Sequence, residues 1–132
     1  LLKQVHDNGI SIFMSNLTNS YARYFNLKNK RVGYLFQGRF KAVIIETEEQ
    51  LLHVSRYIHL NPHTSFVVKS LNQLEGYPYS SFPEYLGKSK TNFFQKEVVL
   101  GQFKEISSYR KFVFDQAEYQ RQLEQIKHLI ME

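Results

Sequence analysis

The stretch from Thr47 to Pro62, TEEQLLHVSRYIHLNP, carries a helix start, a helix stop and a polar stripe, so it admits few structures other than one short helix. Thr47 can accept at the N-cap, and Gln50 three residues on completes a capping-box pattern. Glu48 and Glu49 put negative charge in the first turn, where the helix dipole favours it. Pro62 biases Asn61 away from helical geometry, which predicts the stop there. Leu51, Val54, Ser55 and Ile58 share one face at helical spacing. Gln50, His53, Tyr57 and Asn61 form a second stripe, three or four residues apart. That stripe is either a partly exposed flank or a place where a phenol, an imidazole and two amides converge for chemistry. Spacing alone leans to the flank.

Charge adds a second constraint. From Asn8 to Ile45 there is no Asp or Glu, while Arg23, Lys28, Lys30, Arg31, Arg39 and Lys41 give the segment +6. The remainder, with 11 basic and 12 acidic residues, is nearly balanced. A one-sided basic segment is the footprint expected for a polyanion. Tyr21, Tyr24, Phe25, Tyr34, Phe36 and Phe40 are interleaved with these cations, a combination that suits single-stranded nucleic acid. The plainer reading makes the rings core and the cations solubilising. Charge and aromatics do not separate DNA from RNA.

The 132 residues suit one domain, or one domain with an appendage, and 42% hydrophobic content supports a packed core. No run approaches the roughly 20 apolar residues needed to cross a bilayer. There is no signal-peptide pattern, and the absence of cysteine excludes disulfides and thiolate metal sites. A soluble cytoplasmic chain is the default expectation.

Along the chain, Leu1 to Val5 resembles the tail of an apolar strand, and the chain is expected to continue upstream. Asn8-Gly9 marks a turn. Ile10 to about Leu27 reads as an amphipathic helix through Ile10, Phe13, Leu17, Tyr21 and Tyr24/Phe25. The β-branched run Val43-Ile44-Ile45 predicts a strand at about Arg39–Glu46. Ser81 starts a short helix or loop that ends near Leu86-Gly87. Beyond a polar linker at Lys88–Thr91, helices are expected at about Phe93–Phe103 and Ser108–Ile130. Phe112, Val113, Ala117, Leu123, Ile126 and Ile130 supply the apolar face of the latter.

No complete chemical motif stands in the chain. His53 and His59 fall on different helix faces, Pro62 lies between His59 and His63, and His6 and His128 stand apart. There is no phosphate-cradling glycine motif, no Ser-His-Asp ordering and no HExxH.

Several pieces nevertheless resemble one family, the REP-associated tyrosine transposases among the single-tyrosine HUH transposases. They are SYARYFN at Ser20–Asn26, GYLFQGRFKAVII at Gly33–Ile45, LLHVSRYIHLNP at Leu51–Pro62 and EGYPYSSFPEYLG at Glu75–Gly87, in the family's order. FKEISSYRKFV at Phe103–Val113 resembles the C-terminal helical extension of longer members. The resemblance implies a transposase catalytic-domain fragment over 1–87 and a helical extension over 91–132. It also implies a helix-rich α+β fold, the C-terminal portion of a ferredoxin-like core.

The implied activity is metal-dependent cleavage and rejoining of single-stranded DNA, with hairpin-forming repeats as a candidate target, through a 5′-phosphotyrosine. Tyr57 maps onto the nucleophile and Asn61 onto the third position of a Mg²⁺ or Mn²⁺ site. His53 is a neighbour on the stripe. Arg56 joins Arg23, Lys28, Lys30, Arg31, Arg39 and Lys41 as an expected DNA contact. The family's His-hydrophobic-His strand would lie upstream of Leu1, so the isolated chain is expected to bind DNA without metal or cleavage. An unpaired strand edge would be covered by Leu1–Val5 or by a second copy in a homodimer. The alternative is a non-catalytic nucleic-acid-binding module in which Tyr57 stacks on a base.

Overall fold

A computed structural model describes residues 1–131, with side chains as far as Ile126. Seven helices are described: α1 (Gly9–Lys28), α2 (Glu48–Thr64), α3 (Leu71–Leu74), α4 (Phe82–Tyr85), α5 (Glu97–Leu100), α6 (Ile106–Phe114) and α7 (Ala117–Met131). Ile130 and His128, singled out in the sequence, lie outside the described side chains. No described helix is long and apolar enough to cross a membrane. The chain divides into two compact units, Leu1–Ile44 and Ile45–Glu132.

The expected α+β, ferredoxin-like class is overturned, because the described residues contain no strand and no sheet. Leu1–Val5 and the segment 39–46 are irregular, and Val43 and Ile44 are exposed. A strand is stabilised by its ladder and by packing against neighbours, not by a β-branched sequence alone. Gly33 (φ 98°) and Gly38 (φ 73°) also turn the chain out of an extended path.

In the first unit, α1 runs one residue beyond the expected helix at each end. It buries none of its side chains; Phe13, Leu17, Tyr21 and Tyr24 are about half exposed. Its rings touch one another instead. Tyr21 lies 6.1 Å from Phe25 and 6.2 Å from Phe36. From the last turn of α1 the Asn26 amide donates to Gly33 O at 2.9 Å, and beyond the helix Arg31 Nη2 donates to Tyr34 O at 3.2 Å, closing the basic loop.

The second unit is organised around α2. Its start is the expected one: Gln50 N–H donates to Thr47 Oγ1 at 3.1 Å. The reciprocal bond is displaced by one residue, since Gln50 Oε1 accepts from Glu46 N–H at 2.9 Å. The expected stop at Pro62 does not occur. A proline's fixed φ is itself helical, and near a helix end it costs only its own missing donor. The helix runs on to Thr64 with Ser65 as its C-cap, and Phe66 then turns left-handed (φ 61°). Phe66 N–H then bonds back to His63 O at 3.2 Å and Val68 N–H to Pro62 O at 2.8 Å. Phe66 occupies a position that normally favours glycine, and Arg121 covers its ring at 4.6 Å.

The core of this unit joins Leu60 of α2 to Leu74, Phe82, Tyr85, Val99, Tyr109 and Val113, all buried. Thus α3 to α7 pack on or around α2. The expected helix at Phe93–Phe103 shrinks to α5, because Phe94 N–H is drawn to Glu84 Oε1 at 2.8 Å. The expected helix at Ser108–Ile130 is two helices, with a turn at 115–116 between buried Val113 and Ala117. Of the loop or short helix expected from Ser81, the structure has the helix, α4, with Ser81 at its N-cap and Leu86 at its C-cap.

Candidate functional site

The solvent-facing side of α2 carries Tyr57 and Asn61, one turn apart. Tyr57 is 51% exposed, and its hydroxyl has no hydrogen-bond partner among the described residues. The Asn61 backbone carbonyl accepts from Ser65 N–H and from the hydroxyls of Thr64 and Ser65, while its side-chain amide stands exposed. Helical geometry therefore sets a phenol beside an amide oxygen, both open to a ligand.

His53 and Arg56 sit on an adjoining edge. Arg56 Nη2 donates to His53 Nδ1 at 2.7 Å, and its guanidinium lies 4.4 Å from the centre of the Phe112 ring. A guanidinium only donates, so His53 Nδ1 must accept and the ring proton resides on Nε2, which faces Glu49 at 3.7 Å. Burial lowers the Arg56 pKa from its ordinary value, and its Nε is buried without a partner. Arg56 is held against α6 more than it is offered to solvent.

The remaining basic positions belong to the first unit. Arg23, Lys30, Arg39 and Lys41 are not buried, and their side chains make no hydrogen bond or ion pair among the described residues. Lys28 lies over the Tyr24 ring at 5.5 Å and donates to its hydroxyl at 3.2 Å. Arg31 is tied to Asn26 and Tyr34. The structure thus brings Tyr57, Asn61, Arg56 and His53 together on one helix and the other candidate cations together in the first unit.

Among the described residues no group of three His, Asp or Glu side chains is placed to hold a metal ion. Asn61 brings one side-chain amide oxygen, a hard donor of the kind that Mg²⁺ or Mn²⁺ takes.

The buried side of α2 holds groups that the sequence pattern did not single out. His59 Nδ1 lies 2.7 Å from the Tyr109 hydroxyl and Nε2 2.8 Å from Ser81 Oγ. The Tyr109 hydroxyl also lies 2.7 Å from Ser55 Oγ. Burial among Phe82, Tyr85 and Tyr109 lowers the His59 pKa to about 4, and burial raises that of Tyr109. His63, lowered by burial and by Arg121, faces Val68 O through Nδ1 at 3.3 Å. Glu75 and Glu84 are buried as well. Desolvation opposes their charge, but Lys88 and Arg110 on Glu75, and the Phe94 and Phe93 N–H groups with Thr91 and Lys96 on Glu84, hold both below the ordinary carboxylate range. The only sequence signal for this network is the helical spacing of Ser55 and His59; their partners lie 22 to 54 residues away.

Compared with known proteins, the chain matches no family model, no curated protein and no solved structure.

Proposed function

We propose that this chain is the strand-binding, nucleophile-bearing part of a DNA transposase that works in the cytoplasm on single-stranded DNA. The observation that carries the reading is the exposed, unbonded Tyr57 hydroxyl with Asn61 one turn along the same face. A nucleophile must reach the scissile phosphorus, and the exposed Tyr57 phenol can, whereas a buried one could not. In the proposed step Tyr57 Oη bonds to phosphorus and the P–O3′ bond breaks. The phenolic proton is lost to solvent and the leaving 3′ oxygen takes one up. The strand then stays attached through a 5′-phosphotyrosine, and the reverse displacement rejoins it without ATP.

Supporting the strand-binding half, the first unit offers Arg23, Lys30, Arg39 and Lys41 beside exposed Tyr34 and Tyr24, with no Asp or Glu between Asn8 and Ile45 to oppose a phosphate. Affinity for a single-stranded oligonucleotide should fall steeply with salt. Lys30→Ala together with Arg39→Ala should reduce the slope of log K against log salt by about 1.4, at about 0.7 for each phosphate no longer neutralised. A binding constant insensitive to salt would end this reading.

The second reading is a non-catalytic binding module in which Tyr57 stacks on a base, favoured by the exposure of the Tyr57 ring. A denaturing gel of labelled oligonucleotide in Mg²⁺ or Mn²⁺ separates the two. The chain as it stands should bind without an adduct, whereas a chain supplied with a His-hydrophobic-His strand at its N-terminus should retain label covalently, and Tyr57→Phe should abolish that band. Retained label in the Tyr57→Phe protein would remove Tyr57 as the nucleophile.

A further inference from the structure

Three helices of the second unit are joined by a continuous line of polar contacts: Ser55 and His59 from α2, Tyr109 from α6, and Ser81 at the head of α4. Ser55, His59 and Tyr109 are fully or almost fully buried, but Ser81 is only partly so. Ser81 holds the N-cap position of α4, yet its side chain makes no capping bond. Phe82 N–H is taken by Ser80 Oγ at 3.2 Å instead, which leaves the Ser81 hydroxyl to His59.

Ser81 also lines a cleft of about 650 Å³, together with Asn72, Tyr79, Ser80, Pro83 and Phe94. That volume lies in the range of small-molecule sites. Both acids at its edge, Glu75 and Glu84, are already matched by cations and N–H donors, so the cleft does not select for a charged ligand.

One proton order gives each of the three contacts a donor and an acceptor. Ser81 O–H donates to His59 Nε2, His59 Nδ1–H donates to the Tyr109 oxygen, and Tyr109 O–H donates to Ser55 Oγ. This is a hydroxyl with a base, and a base with an orienting partner.

We infer that Ser81 is a nucleophilic hydroxyl served by His59, and that it accepts the acyl group of a small uncharged ester bound in the cleft. Ser81 Oγ bonds to the acyl carbon and the ester C–O bond breaks. His59 Nε2 takes the serine proton and delivers it to the departing alkoxide, so an acyl-serine and an alcohol result. Water repeats the exchange and releases the acid. Tyr109 is a positioning residue that fixes which imidazole nitrogen faces Ser81. Burial keeps His59 neutral down to about pH 4, so Nε2 is open to accept throughout the neutral range. The same weak basicity makes turnover slow.

The test labels the intact chain with a small fluorophosphonate, which displaces fluoride and marks an activated serine, and maps the adduct by peptide mass. In parallel, p-nitrophenyl acetate hydrolysis is followed between pH 5 and 8. The expected result is a single adduct on Ser81 and an esterase rate that is nearly flat over that interval. Ser81→Ala should lose both. His59→Gln should slow labelling on the order of 100-fold, and Tyr109→Phe should slow it less while bending the pH profile. Failure of the wild-type chain to label, or an adduct mapped elsewhere, overturns the proposal. Because mapping is done on the wild type, it decides even if a variant misfolds.

Discussion

α1 and α2 are the two longest helices, 20 and 17 residues, and they use their side chains in opposite ways. The regular apolar stripe of α1, Phe13, Leu17 and Tyr21, stays half exposed, and the helix buries nothing. α2 buries Ser55, His59, Leu60, His63 and Thr64, four of them polar. The difference shows that apolar spacing specifies a helix without specifying its burial. Burial depends on what stands opposite. A polar side chain is buried at little cost where partners complete its hydrogen bonds, and α2 meets Tyr109, Ser81 and Val68 O in the right places.

The sharpest way to break this contrast is a matched truncation. Leu60 is wholly buried among the aromatic rings of the second unit, so Leu60→Ala should cost about 3 kcal/mol. Leu17→Ala, at a half-exposed site on a helix where alanine is favourable, should stay within about 0.5 kcal/mol. Chemical denaturation of both variants measures the pair. A large loss from Leu17→Ala would mean that the α1 stripe is packed in solution.

A similar loss should come from acid, and it should belong to α2 alone. The His59 pKa is lowered from 6.5 to about 4 by burial, so the unfolded chain takes up the proton first. The neutral imidazole's stability is therefore complete above pH 6.5 and lost progressively as pH falls towards 4. At about 1.36 kcal/mol per unit, the full loss is about 3 kcal/mol. Glu75 and Glu84 are depressed from 4.5, so their contributions are complete above that pH and are lost only as pH falls below it, and the interval from 6.5 to 4.5 isolates the histidines. Stability measured by denaturant at each pH should fall through that interval in the wild type and much less in His59→Gln. An unchanged slope in that variant would assign the acid sensitivity to His63 instead.

The same contrast explains what was legible in the sequence. Local signals read well: the extent of α1, the cap at Thr47 and the start at Ser81 each depend on neighbours within a few residues. Tyr57 and Asn61 were readable as one stripe for the same reason. What failed was non-local. The strand at Arg39–Glu46 needed a partner that the described residues do not contain. The helix at Phe93–Phe103 was overruled by a carboxylate ten residues before Phe94. The His59 network needs groups up to 54 residues apart, and no periodicity announces it. Pro62 misled for a different reason: it marks a weakened hydrogen-bond ladder, whereas the actual stop at Phe66 is a left-handed turn on a residue type that rarely takes one.

The smallest test compares the two helix starts. Thr47 is extended, and its hydroxyl accepts from Gln50 N–H, so Thr47→Ala should destabilise the second unit by about 1 kcal/mol. Asn8 stands at the corresponding place before α1 with left-handed backbone (φ 58°) and no side-chain cap bond. Its role is conformational, so Asn8→Gly should be neutral or slightly stabilising, because glycine enters that region without strain. Thermal unfolding followed by far-ultraviolet circular dichroism reads both. If Asn8→Gly cost as much as Thr47→Ala, α1 would be held by a cap bond like that of α2. A null effect at Asn8 with a loss at Thr47 would leave α2 as the helix whose start is fixed by side-chain chemistry, and α1 as one whose start is fixed by backbone geometry.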